Sequence, residues 1–202
     1  MNKEEKVIHD IMVSLQLLLY LVRHERPNVL EPDMKTVESD AEALVAAASK
    51  SPIQKFSISK IITSRCPAQM RATLEHYKGR YRHSLGKVIK QETKGNFQVL
   101  LRVLMRYAKN PVNYFVKALY KSMKGLGTDD PTLIRIIVMR AEIDMEEIKR
   151  SFYLKYSSSL QSMIVSDTSG SYRTFLLSLC GATLSEIQAV SSLKHRFSTR
   201  KP

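Results

Sequence analysis

Apolar residues along this chain recur at helical spacing, three and four positions apart, and the pattern then repeats itself. From about Asp40 onward, each position answers one 75 residues later without a gap. Leu44 answers Leu119, Ile61-Ile62 answer Ile136-Ile137, Met70 answers Met145, and Tyr77 answers Phe152. Tyr81, Ser84 and Leu85 answer Tyr156, Ser159 and Leu160, while Ile89, Thr93 and Gly95 answer Ile164, Thr168 and Gly170. Leu101 and Leu104 answer Leu176 and Leu179. The pattern predicts five short helices per unit, joined by brief turns. They fall near 39–49, 56–65, 67–77, 81–90 and 96–107, then near 112–123, 130–140, 144–155, 157–166 and 171–180. The expected fold class is all-α, with one repeat over 39–110 and a second over 111–181.

The flanks follow a different pattern. Leu15, Leu17, Leu18, Leu19, Leu21 and Val22 make a helix apolar over most of its circumference, which predicts burial on several sides. Residues 25–38 contain Pro27, Pro32, several acids and few apolar residues, so they read as an extended linker. Residues 1–38 are therefore expected to be the tail of a preceding unit plus that linker. Residues 182–202 form a basic C-terminal extension. Leu184, Ile187, Val190, Leu193 and Phe197 fit a further amphipathic helix, and a disordered tail fits equally.

Composition narrows the class. At 202 residues, 44% hydrophobic and 25% charged, the chain can bury a core of one or two modest domains. The run from Ile11 to Val22 is too short to span a bilayer and contains Ser14 and Gln16. Acidic residues precede it, which is wrong for a secretory signal. Two cysteines, Cys66 and Cys180, give no disulfide framework and fit a reducing cytosol. The net charge of +13 is uneven: residues 40–106 hold 13 Lys/Arg against 4 Asp/Glu, and residues 115–180 hold 9 against 7. Such a surface seeks anions, whether lipid headgroups, nucleic acid or an acidic protein.

The stretch with the most chemistry is Met123-Lys124-Gly125-Leu126-Gly127-Thr128, between two helical patterns. Its glycines free the backbone to take φ > 0, so carbonyl oxygens can turn outward at one place. With Asp167, forty positions past Gly127, they make the oxygen set a hard cation such as Ca²⁺ uses. The local residues serve equally well as a glycine turn with Asp167 as a helix N-cap.

Taken together, Met123 to Asp130, Leu133-Ile134-Arg135, Arg140 to Met145 and Asp167-Thr168-Ser169-Gly170-Ser171-Tyr172-Arg173 resemble the fourth repeat of an annexin. The likeness runs through Gly181 and has a plant-like character. It implies five-helix repeats whose loops carry Ca²⁺, with this chain matching the end of the second repeat, the third and the fourth. By that likeness, the carbonyls of Met123, Gly125 and Gly127 and the carboxylate of Asp167 would hold one Ca²⁺, with Thr128 shaping the loop. Water and a phospholipid phosphate would complete the coordination. The implied function is Ca²⁺-dependent binding of anionic phospholipid by a cytoplasmic protein that is peripheral to membranes. Two repeats alone would leave apolar helix faces exposed, so self-association is also expected.

The matching loop of the first unit, Ala48-Ser49-Lys50-Ser51-Pro52-Ile53, lacks both glycines, and Lys50 stands where the ion would sit. Lys50, Lys55 and Lys124 are candidate contacts to lipid phosphate. Glu92, in the place answering Asp167, reads as a relic or a helix cap. Asp167-Thr168-Ser169-Gly170 fits a DxxG nucleotide pattern, and Ile134-Arg135-Ile136 matches a tripeptide proposed for actin contact in plant annexins; both patterns are common by chance. The five histidines lack metal-ligand spacing, and no nucleophile–base set is present, so no enzymatic activity is expected. The alternative function is a basic nucleic-acid binder built on Lys78, Arg80, Arg82, Lys87, Lys90 and Lys94. Tyr77 and Tyr81 interleave that tract but match core positions of the second unit.

Overall fold

The computed structural model describes residues 11, 12, 14, 15, 17–19, 21, 22, 31–50, 54–183 and 185. The chain divides into two compact units, Met1–Pro111 and Val112–Pro202. The first holds α1 (Met34–Ala48), α2 (Lys55–Ser64), α3 (Pro67–Tyr81), α4 (Leu85–Glu92) and α5 (Gly95–Lys109). The second holds α6 (Pro111–Met123), α7 (Asp130–Arg140), α8 (Met145–Tyr156), α9 (Leu160–Asp167) and α10 (Gly170–Leu179). No strand occurs among the described residues.

The same side chains set the helix ends in both units. Ser84 and Ser159 cap α4 and α9, each accepting from the backbone N–H three residues on, Lys87 and Ser162. Arg82 and Ser157, again 75 apart, end the preceding helices in the left-handed region at φ 60° and 53°. The N–H of each reaches back to a carbonyl four residues earlier, Lys78 or Tyr153. Pro67 opens α3 and Pro111 opens α6, where a missing N–H costs no helical bond.

Each core is a set of paired positions. Leu44, Ile58, Tyr77, Leu85, Ile89 and Leu101 are buried in the first unit, and Leu119, Leu133, Phe152, Leu160, Ile164 and Leu176 are buried in the second. Truncating any of these leucines to alanine is worth about 2–5 kcal/mol, the lost burial plus the cavity left behind.

Two expectations need correction. The linker ends earlier than its composition suggests, because α1 begins at Met34, five residues before the predicted start. Asp33 caps it, accepting from the N–H groups of Lys35 and Thr36. Gln69 in turn grips the Asp33 backbone, accepting from its N–H at 2.8 Å and donating to its carbonyl at 3.0 Å. The Thr36 hydroxyl and amide hold the Asp33 carboxyl below its ordinary range. The second correction concerns 11–22, helical at its described residues but not enclosed. Leu17 is fully buried in the first unit's core and Ser14 is nearly so, whereas Ile11, Met12, Leu15, Leu18, Leu19 and Val22 are exposed. One stripe of this helix packs, and its other apolar faces are left largely exposed. The candidate helix within 184–202 lies outside the described residues, apart from Ser185.

Candidate functional site

The loop of interest begins where α6 stops. Met123 is buried, and residues 124–127 then leave the helix with Gly125 at φ 122° and Gly127 at φ 83°. A β-carbon at either glycine would meet no neighbour, so backbone conformation and not crowding calls for glycine there. The loop is closed by the Asp129 N–H, which donates to the Ser122 carbonyl at 2.8 Å. Asp129 also caps α7 by accepting from the Thr132 N–H at 3.2 Å. Among the described residues, the carbonyl oxygens of Met123, Gly125 and Gly127 accept no hydrogen bond. Leu126 stands fully exposed at the tip.

Asp167 comes to this loop from the end of α9. It is the last residue of that helix, not the cap of the next, so its side chain is not spent on backbone N–H groups. The Thr128 hydroxyl lies 2.7 Å from Asp167 Oδ2 and 3.2 Å from the Asp167 carbonyl oxygen. The turn behind Asp167 is braced. Thr168 is buried with its hydroxyl on the Ile164 carbonyl, and buried Arg173 donates through Nε and Nη2 to the Thr168 carbonyl. A second strap joins the helices that follow the two segments: the Tyr172 hydroxyl donates to Asp130 Oδ1 at 2.9 Å. Burial, and then the Asp130 carboxylate, push the Tyr172 phenol up to about 12. Arg173 and Tyr172 were visible in the sequence as part of a motif but not as braces.

The first unit keeps the frame and changes the contents. Its loop closes by the equivalent bond, Gln54 N–H to the Ala47 carbonyl at 3.0 Å. Gln98, in the place of Arg173, donates to the Thr93 carbonyl. Where Asp130 meets Tyr172 in the second unit, Lys55 Nζ lies 5.5 Å from the Phe97 ring centre. Ile53 replaces Thr128, so no hydroxyl is available to draw Glu92 in. Glu92 and Lys50 are exposed. Lys124, beside the second loop, reaches back over the Tyr120 ring at 5.3 Å.

The other candidates are placed as follows. Tyr77 is buried and Tyr81 packs against the same core, so neither forms a stacking surface beside the exposed Lys78, Arg80, Arg82, Lys87, Lys90 and Lys94. Cys66 and Cys180 are buried thiols outside any disulfide among the described residues, and burial pushes Cys180 up to about 12. Among the described residues, no three His, Cys, Asp or Glu side chains converge on a metal position. A site built from carbonyls and one carboxylate would not depend on such a cluster. Among the described residues, no helix is long and apolar enough to cross a membrane.

Comparison with known proteins agrees with this architecture. The sequence model of the annexin family matches residues 39–104 and 114–179, well over half of the chain. Annexin D5 of Arabidopsis thaliana is 44% identical over 168 residues, covering 82% of this chain and 52% of its own length. Among solved structures, annexin III superposes with a TM-score of 0.79 at 32% identity, covering 84% of this chain and 53% of that one. A calcium-bound annexin (Sm)1 gives 0.73 at 31% identity, covering 84% of this chain and 50% of that one. The chain belongs to the annexin family. It spans about half the length of the relatives it matches.

Proposed function

We propose that the chain binds anionic phospholipid membranes in a Ca²⁺-dependent way, through the loop 123–128 and Asp167. The observation that carries this reading is the Thr128–Asp167 hydrogen bond, which draws a carboxylate against a loop whose Met123, Gly125 and Gly127 carbonyls are uncommitted. Carbonyls and a carboxylate are the donors Ca²⁺ selects, and it takes about six to eight oxygens, so four from the protein leave positions for water and a lipid phosphate. When bound, Ca²⁺ would supply positive charge for a lipid phosphate beside the Asp167 carboxylate, adding to that of Lys124. The residues of the chain do the rest. Thr128 holds Asp167 in place, the Arg173 brace fixes the turn behind it, and exposed Leu126 presents an apolar side chain to the bilayer interface. The calcium-bound annexin (Sm)1 neighbour supports the choice of ion.

The first unit contributes electrostatically in this reading. Lys50 replaces the ion as phosphate partner and Lys55 adds a second cation, while Lys124 serves the second loop. Juxtamembrane basic residues contribute on the order of 1 kcal/mol each near an anionic leaflet, and salt screens them. The protein would act as a peripheral membrane protein in the cytoplasm. The test is pelleting of the intact chain with phosphatidylserine vesicles in Ca²⁺ and in EGTA, with RNA as competitor. Binding that needs Ca²⁺ and ignores RNA supports the proposal; binding that ignores Ca²⁺ and yields to RNA refutes it.

A further inference from the structure

The first unit carries a cavity of about 200 Å³ at the end of the repeat away from its 48–54 loop. Lys55 near Phe97 places the start of α2, which follows that loop, beside the start of α5. The cavity is lined by α5 residues from Arg102 to Lys109, roughly 8–18 Å along the helix axis from Phe97 at 1.5 Å per residue. Ser84 and Gly86 line it from the start of α4, Leu74 from α3, and Arg102, Arg106 and Lys109 from α5. Three cationic residues line one hole. None of them has an acidic partner among the described residues.

The second unit shows that the fold does not require them. The residues answering Arg102 and Arg106 are Leu177, which is buried, and Gly181. The position of Leu74 is taken by Lys149, whose ammonium donates to the Cys180 carbonyl at 2.9 Å and pairs with Glu146 at 2.5 Å. That end of the second unit is thus neutralised from within. In the first unit Arg71 answers Glu146, so the local charge is reversed where the second unit supplies its own acid. Gly86 answers Gln161, and its missing side chain leaves the mouth open.

We propose that this cavity binds a phosphomonoester group, gripped by the Arg102 and Arg106 guanidinium groups and the Lys109 ammonium. Guanidinium pairs with phosphate oxygens through paired N–H donors, and a dianion answers an excess of cations better than a carboxylate does. The volume suits a phosphate head with its water; pockets for whole drug-sized ligands run to about 300–1,000 Å³. The phosphate has two possible sources, a soluble phosphomonoester or the headgroup of a phosphorylated lipid. The site is independent of the Ca²⁺ loop, so either can fail alone.

The experiment titrates inorganic phosphate into the intact chain in EGTA, at constant ionic strength, and follows the backbone amide signals of Leu85 and Lys109, lining residues that every variant keeps, by NMR. Saturating shifts are expected. Arg102→Leu with Arg106→Ala should abolish them, and the buried Leu177 at the sister position makes this variant compatible with the fold. Gly86→Gln keeps every charge and fills the mouth with the residue the second unit carries; a β-carbon there meets only Met105 Cε at 3.8 Å. This variant should weaken binding at least tenfold. Lys60→Glu, exposed on α2 and outside the cavity lining, should leave it unchanged. Phosphate affinity equal in Gly86→Gln and parent, or no saturable shift in the parent, overturns the proposal. Phosphatidylcholine vesicles with phosphatidylinositol 4-phosphate, also in EGTA, then separate the sources. Vesicle binding lost in both cavity variants assigns the phosphate to a headgroup, and vesicle binding unaffected while inorganic phosphate binding is lost assigns it to a solute.

Discussion

Thr128→Val removes one oxygen and keeps the side-chain shape, which isolates the bond that brings Asp167 to the loop. The hydroxyl lies 2.7 Å from Oδ2, a charge-assisted distance. Hydrogen bonds to charged groups contribute roughly 1.5–3 kcal/mol. Both residues are partly exposed, so the low end applies, and about 1.4 kcal/mol is tenfold in an equilibrium constant. If the bond holds the carboxylate ready, its loss should raise the Ca²⁺ midpoint for phosphatidylserine vesicle binding about tenfold. Helix content by circular dichroism should not change, because the core positions of the second unit are untouched. The opposite result is informative. A midpoint that falls in Thr128→Val would mean the hydroxyl competes with the ion for Asp167, and the positioning role would be refuted.

Three further outcomes follow from the same geometry. The Tyr172 phenol is raised to about 12 from its ordinary value near 10, so its contribution to stability is whole below pH ~10 and is lost as pH rises towards 12; urea unfolding should show a shallower alkaline loss in Tyr172→Phe than in the parent. Cys180, fully buried with its thiol raised to about 12, should resist a thiol reagent at pH 8 in the native protein and react after denaturation, and rapid native labelling would show the packing around α10 to be wrong. Lys50→Glu with Lys55→Glu should weaken vesicle binding in EGTA at low salt and matter little at physiological salt; residual binding indifferent to both would exclude an electrostatic contribution from the first unit.

Much of this was legible in the sequence because the chain carries its own internal comparison. The gapless register foretold pairs such as Ser84 with Ser159 and Thr93 with Thr168, which do the same work in both units. It could not foretell contacts that changed between them. Arg65 and Arg140 occupy one position, yet Arg65 forks onto Asp40 at 2.6 and 2.8 Å while Arg140 forks onto Asp144 at 2.8 and 2.7 Å. Phe115 stands where Asp40 would be, and Arg140 lies over its ring at 4.8 Å. The start of α1 was hidden because its anchor, Gln69, lies 36 residues away from Asp33. The enclosure expected of 11–22 failed for a related reason: periodicity reports which faces are apolar, not whether a partner covers them. At the candidate site, glycines and acid were readable from spacing, but the Thr128–Asp167 contact, 39 residues apart, needed coordinates.

The central claim is that Asp167 and the 123–128 loop act as one Ca²⁺-dependent membrane contact. Its most direct test is the binding of parent and Asp167→Ala to phosphatidylserine vesicles across a Ca²⁺ titration, with circular dichroism recorded on both. Asp167 supplies the only charged side chain among the four proposed ligands, and neutral carbonyls alone hold Ca²⁺ poorly. The account predicts that Asp167→Ala keeps its helices and loses most Ca²⁺-dependent binding. Equal titration curves for the two proteins would contradict it.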